Sequence, residues 1–286
     1  PLTAFIEQQA LYDQVTNPVG VNRDGTLRTP PYPPMGPVPW NENYQPWLTQ
    51  VPTYRCPSDP AVSPPGRVGY ANYAVCAGDA FFEQQHSGIQ SNGVPSRSGT
   101  WGQEDASRWA RGVFHARHFT RFRDITDGLS NTIAMGEMLV HNRDNRASTT
   151  VINDDTVQNV PVYNWEQFLD PERPQFWLPD AQIGDRIDNW RNHHRGRRWP
   201  DARPQYTTFT TIRPPNGYQV ARWEGNFGIF SAASNHQGGA HVMMADGAVV
   251  FLTDSIVACV QTLVAYGRDN GDGLGANGGV GRASPY

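Results

Sequence analysis

Apolar and polar positions fall into their clearest order near the C-terminal end, over residues 234–267. Two apolar runs, 240–245 and 248–252, flank Asp246-Gly247, the residue pair that most strongly signals a two-residue hairpin closed by a type I′ turn. Such a turn predicts Ala245 opposite Ala248, Met244 opposite Val249 and Val242 opposite Phe251. Both faces of the ribbon carry apolar side chains, so a cover on each side is expected. Beyond it, Ile256, Val260, Leu263 and Val264 share one helical face, with Thr253 or Asp254 as cap and Gly267 as stop.

Upstream, residues 70–77 read as a strand, and 132–140 alternate as a strand that joins the hairpin's sheet. Residues 227–232 are strand-like as well. Leu2, Phe5, Ile6, Ala10 and Leu11 follow a helical period, so the opening reads as the end of a helix. Residues 17–66 are crowded with Pro, Gly, Asn and aromatics, which predicts loops wrapped on a core. Residues 124–131 read as a turn, and 141–225 as a loop-rich insertion of little periodicity. No internal repeat is found. The pattern predicts one α+β domain over residues 1–286: an antiparallel sheet from the 70s strand, the 132–140 strand and the hairpin, a packed C-terminal helix, and long irregular loops.

Composition agrees with a loop-rich β protein, since 38% of residues are hydrophobic while Gly (28) and Pro (24) are abundant in 286 residues. The net charge of −4 argues against a general nucleic-acid binder. Every basic side chain is Arg or His, for the chain has no lysine. No segment has the length and apolarity of a membrane span.

Candidate chemistry is sparse. Cys56 and Cys76 lie in loop-like sequence, close enough to bridge; a disulfide there suits an exported protein and adds about 3 kcal/mol. Zinc is the competing reading, with no Cys-x-x-Cys or suitably spaced His behind it. Cys259 falls on the expected C-terminal helix as a reduced thiol. His236 with Gly238, Gly239, Asp246 and Gly247 suggests a metal or catalytic pair, but turns use these residue types heavily, and a structural motif is the favoured role. Asp269, Asn270, Asp272 and Asn277 space oxygen ligands as a calcium loop does, without its closing Glu, so Ca2+ is the one cofactor to consider. Trp190, Arg195, Arg197, Arg198 and Trp199 form a basic, aromatic loop suited to clamping a glycan or an acidic partner surface. The glycines at 273–278 match a dinucleotide fingerprint formally but follow a helix with too little chain behind them. No nucleophile elbow, His-Glu-x-x-His, phosphate loop or deaminase spacing occurs, so an enzyme is not expected.

Five stretches, in order along the chain, carry a resemblance: residues 2–12, 51–60 (Val-Pro-Thr-Tyr-Arg-Cys-Pro-Ser-Asp-Pro), 70–73, 124–137, and His236-Gln-Gly-Gly through Asp246-Gly247 to Phe251. As a set they resemble the planctomycete prepilin-like family, a domain of unknown function behind a prepilin-type cleavage and methylation signal. The resemblance implies a pilin-like fold with an N-terminal helix remnant, in an exported subunit found outside the cell or at its surface. It further implies assembly with copies of itself or with other pilin-like subunits into a pilus-like filament or secretion pseudopilus, with membrane contact only through a helix preceding this chain. One alternative is a secreted module that binds surface polysaccharide on Trp165, Trp177, Trp190 and Trp199. A further one is a secreted hydrolase whose site is assembled from distant residues.

Overall fold

A computed structural model describes residues 2–79, 112–141, 144–153, 162–179, 195–222, 224 and 227–256. Among these, the strands are β1 (Val19–Val21), β2 (Leu27–Tyr32), β3 (Tyr73–Cys76), β4 (Ile133–Glu137), β5 (Val151–Asn153), β6 (Thr208–Phe209), β7 (Gln219–Arg222), β8 (Phe227–Ile229), β9 (Gly239–Met244) and β10 (Val249–Thr253). The α-helical segments are α1 (Gln9–Thr16) and the single turn α2 (Pro204–Thr207). No helix among the described residues is long and apolar enough to cross a membrane.

The main sheet has the order β10-β9-β4-β3-β6, so the three expected strand regions do pair with one another. Its neighbours run antiparallel except β3 and β6, which are parallel. Inward side chains of β3, β6 and β9 (Ala74, Cys76, Phe209, Ala240, Val242) bury themselves with Val151, Ala221 and Phe230. Removing these side chains from water is the main favourable term here.

The hairpin forms one residue out of its expected register. Val249 faces Met243, Val250 faces Val242 and Phe251 faces His241. Gly247 N–H donates to the Met244 carbonyl at 2.9 Å, and Met244 N–H donates to the Ala248 carbonyl at 2.8 Å. Ala245, Asp246 and Gly247 thus make a three-residue loop: a type I turn followed by a left-handed residue, here Gly247 at φ 90°. Asp246 stabilises this geometry by accepting the Ala248 N–H at 2.9 Å. Nor is the ribbon covered on both sides. β10 is the edge strand, and Val249, Val250 and Phe251 are exposed.

The stretch expected to be a loop-rich insertion holds β5 and β7, which run parallel and join β8, in the strand-like 227–232 stretch, in a sheet of order β5-β7-β8. Its core is Ile152, Trp165, Trp177, Ile212, Tyr218, Val220 and Ile229. Trp177 lies in an isolated bridge outside the named strands, and its indole N–H donates to the Thr150 carbonyl at 2.9 Å. The chain passes back and forth, since β6 returns to the main sheet between β5 and β7, and β9 returns after β8.

The N-terminal stretch is helical in two pieces rather than one. A 3-10 turn covers Leu2–Phe5, Glu7 takes φ 60°, and α1 follows. Residues 17–66, expected as loops alone, also hold a two-stranded antiparallel sheet of β1 and β2; the stretch packs through aromatic edges, Tyr32 on Tyr44 at 4.9 Å, Tyr44 on Trp47 at 5.0 Å, and Trp47 on Trp199 at 5.5 Å. The C-terminal helix expected after Ile256, with Cys259 on it, lies outside the described residues.

Candidate functional site

Glu137 closes β4 and is only 7% exposed. A carboxylate at such depth needs partners, and three converge on it. The His241 backbone N–H, from neighbouring β9, donates to Oε2 at 2.7 Å. The His241 Nδ1 lies 3.3 Å from the same oxygen, and His236 Nε2 lies 3.1 Å from Oε1.

Cys56 is delivered to this carboxylate by a turn. Asp59 N–H donates to the Cys56 carbonyl at 3.1 Å, and the buried Asp59 carboxylate accepts N–H groups from Ala61 and Val140, each at 2.9 Å. Asn72 locks the turn to the sheet. Its amide nitrogen donates to Asp59 Oδ2 at 2.5 Å and to the Met138 carbonyl at 2.9 Å, while its oxygen accepts the Cys56 N–H at 3.1 Å. With the amide nearly fully hydrogen-bonded and 1% exposed, Asn72 is a rigid strut.

His236 comes from the 234–238 loop. Ser234 Oγ accepts the His236 N–H at 3.1 Å and donates to the Gly239 carbonyl at 2.7 Å. Asn235 donates to the Ser58 carbonyl at 3.0 Å, tying this loop to the Cys56 turn. Gly238 has φ 79°, and a Cβ on Gly239 would collide with the Leu252 carbonyl. In this loop the backbone of Gly238 and Gly239 presents the His236 imidazole.

The result is a thiol, a carboxylate and an imidazole whose donor atoms all lie within 4.8 Å of one another. Cys56 Sγ stands 3.9 Å from His236 Nε2. That same nitrogen faces Glu137. In a nucleophilic Cys–His–carboxylate relay the imidazole turns one nitrogen to the thiol and the other to the acid. Here one nitrogen meets both, an arrangement of ligands around a point instead of a relay. The Tyr73 phenol is pushed above its ordinary range by burial, and further by the charges of Cys56 and Glu137. The rings of His236, His241 and Phe251 stack edge to face beside the cluster, at 5.0 and 4.9 Å.

Several expected sites come out differently. No Cys56–Cys76 disulfide forms; both thiols are free. Cys76 points into the core of the main sheet, where burial raises its thiol to about 12, whereas Cys56 is turned towards Glu137 and His236. The basic loop is not a displayed clamp. Arg195 is fully buried and donates to the carbonyls of Thr208, Gln205 and Ser231. Arg197 binds the His141 carbonyl, and Arg198 is buried against Asp201 and Glu224. Trp199 packs between Trp47 and Tyr54, donating to the Thr49 carbonyl at 3.0 Å. Trp165 and Trp177 are each 1% exposed and offer no stacking platform. Trp190, Asp269, Asn270, Asp272 and Asn277 lie outside the described residues. Asp246 and Gly247 close the hairpin tip and do not join His236.

Glu137, Asn72, Asp59 and His241 were not picked out by sequence reasoning. The available signal was polar residues inside or at the end of apolar strands, Glu137 closing 132–137 and His241 interrupting 240–245. Four of the five stretches behind the resemblance, around Cys56, Asn72, Glu137 and His236, meet at this one place.

A model of the family described as "Protein of unknown function (DUF1559)" matches residues 1–258, and the chain belongs to that family. No curated protein and no solved structure matches the chain.

Proposed function

We propose that this DUF1559 member is a non-enzymatic structural subunit, exported and assembled with copies of itself into a pilus-like filament or pseudopilus. The observation that carries this reading is the edge of the main sheet. β10 leaves a row of backbone groups at the sheet edge, and its side chains Val249, Val250 and Phe251 are 67%, 41% and 39% exposed. Monomeric β proteins blunt such edges with Lys, Pro or inward charges; β10 (Val-Val-Phe-Leu-Thr) has none of these. A second copy supplies the complementary apolar surface. Leu2 and Phe5, exposed at 61% and 85% on the N-terminal segment, add a second apolar contact of the kind a pilin-like packing through that segment would use.

Electron microscopy and sedimentation of the native full-length protein test this. Concentration-dependent assemblies are expected, and Val249→Lys should shift them to monomer while leaving the unfolding midpoint nearly unchanged. A wild-type protein that stays monomeric at every concentration overturns the proposal.

A further inference from the structure

The geometry points to a zinc-class metal site formed by Cys56 Sγ, Glu137 Oε1 and His236 Nε2, independent of whether the chain assembles. Three observations carry it.

The first is spacing. A tetrahedral zinc with ordinary Zn–S, Zn–N and Zn–O bonds holds its ligands about 3.4 Å apart for N···O and about 3.6 Å for S···N. His236 Nε2 lies 3.1 Å from Glu137 Oε1 and 3.9 Å from Cys56 Sγ. Those two sides need only a few tenths of an ångström to close on an ion, and the third, from Cys56 to Glu137, lies within 4.8 Å.

The second is ligand type. Thiolate, imidazole and carboxylate together suit a borderline-soft divalent ion. An all-oxygen site would select calcium or magnesium instead. Binding displaces the Cys56 thiol proton to solvent and leaves a thiolate on the metal.

The third is support behind the ligands. The His241 N–H and Nδ1 hold Glu137 Oε2, which turns Oε1 towards the other two donors. Asn72 and Asp59 fix the Cys56 turn, and Ser234 fixes His236. Ligands pre-set in this way are what a metal site requires. Glu137 is buried, whereas Cys56 and His236 are half-buried, so the fourth position faces solvent and is left to water or to a side chain from a partner. The ligands stand 99 and 180 residues apart in sequence; the ion would clasp the 50s turn, β4 and the 234–238 loop.

The test uses the full chain stripped with a chelator under reducing conditions and titrated with Zn2+ alone, then Co2+ alone. One equivalent of Zn2+ is expected, with a rise in thermal midpoint. Bound Co2+ should show thiolate charge-transfer absorption and the intense visible bands of tetrahedral cobalt. Cys56→Ser should abolish the charge-transfer band while circular dichroism stays unchanged, and His236→Ala should lose stoichiometric binding. Both residues are half-buried, so the fold is expected to survive. His241→Ala should weaken Zn2+ by about 10-fold, which a purely structural histidine would not do. Substoichiometric binding, a cobalt spectrum indifferent to Cys56→Ser, or a Cys56–Cys76 disulfide in the native protein would overturn the assignment.

Discussion

The two larger sheets among the described residues are built on opposite plans. The five-stranded sheet has strands of up to six residues and ends at a half-open cluster of Cys56, Glu137, His236 and His241. The three-stranded sheet has strands of three or four residues and is sealed by aromatics from outside its strands, Trp165 on a 3-10 helix and Trp177 in an isolated bridge, both almost wholly buried. The first sheet positions chemistry at the end of a strand, where backbone pairing stops and side chains from loops can reach in. The second exists to be filled. Arg195, buried between β6 of the main sheet and the segment after β8, satisfies the carbonyls of Thr208 and Ser231 and presents nothing outward.

The sharpest way to break this contrast is to empty the second sheet. Trp177→Ala removes the indole packed on Tyr218 and the bond to the Thr150 carbonyl, and should cost about 3–5 kcal/mol in denaturant unfolding. Zn2+ binding by the protein that remains folded should be unchanged. Next comes the strut of the first sheet. Asn72→Ala leaves the Cys56 N–H and one Asp59 oxygen short of a partner, for a loss of about 2 kcal/mol. Unlike Trp177→Ala, it should also weaken metal binding by the folded protein. A smaller effect is expected at the hairpin tip. A Cβ on Gly247 meets nothing within 4 Å, so Gly247→Ala carries only the strain of φ 90°, about 1 kcal/mol; both sheets should survive it.

The smallest concerns acid. Burial, and then the neighbouring His118, lowers the His115 imidazole from 6.5 to about 4. The unfolded chain therefore binds more protons than the folded one between those values, and stability should fall as pH drops through that window. With His115 only half-buried and screened by solvent, the loss is under about 1 kcal/mol. It should vanish in His115→Gln, as measured by thermal melts from pH 7 to 4.

Legibility divided along the same line. Strands 133–137 and 239–253 announced themselves because alternation and an Asp-Gly turn are local signals. The register slipped by one because Asp-Gly serves both a two-residue turn and a type I turn with its glycine in the bulge; only the pairing of Met244 with Ala248 decides between them. Of the three-stranded sheet only Phe-Gly-Ile, within the strand-like 227–232 stretch, was legible; Val-Ile-Asn and Gln-Val-Ala-Arg are too short to show a period. The cluster was hidden for a different reason. Zinc was set aside for want of neighbouring ligands, yet Cys56 and His236 meet across 180 residues. Local spacing finds metal loops; it does not find ligands that long-range strand pairing brings together.

The to-and-fro path of the chain between its sheets limits what engineering could do with residues 141–225. A cassette exchange or deletion there would carry off β6 as well, stripping β3 of its parallel neighbour and baring the side of the main sheet where Phe209 lies over Gly136. Loops inside this segment could be lengthened without that loss, while wholesale replacement would have to restore a two-residue strand at the right height on another sheet.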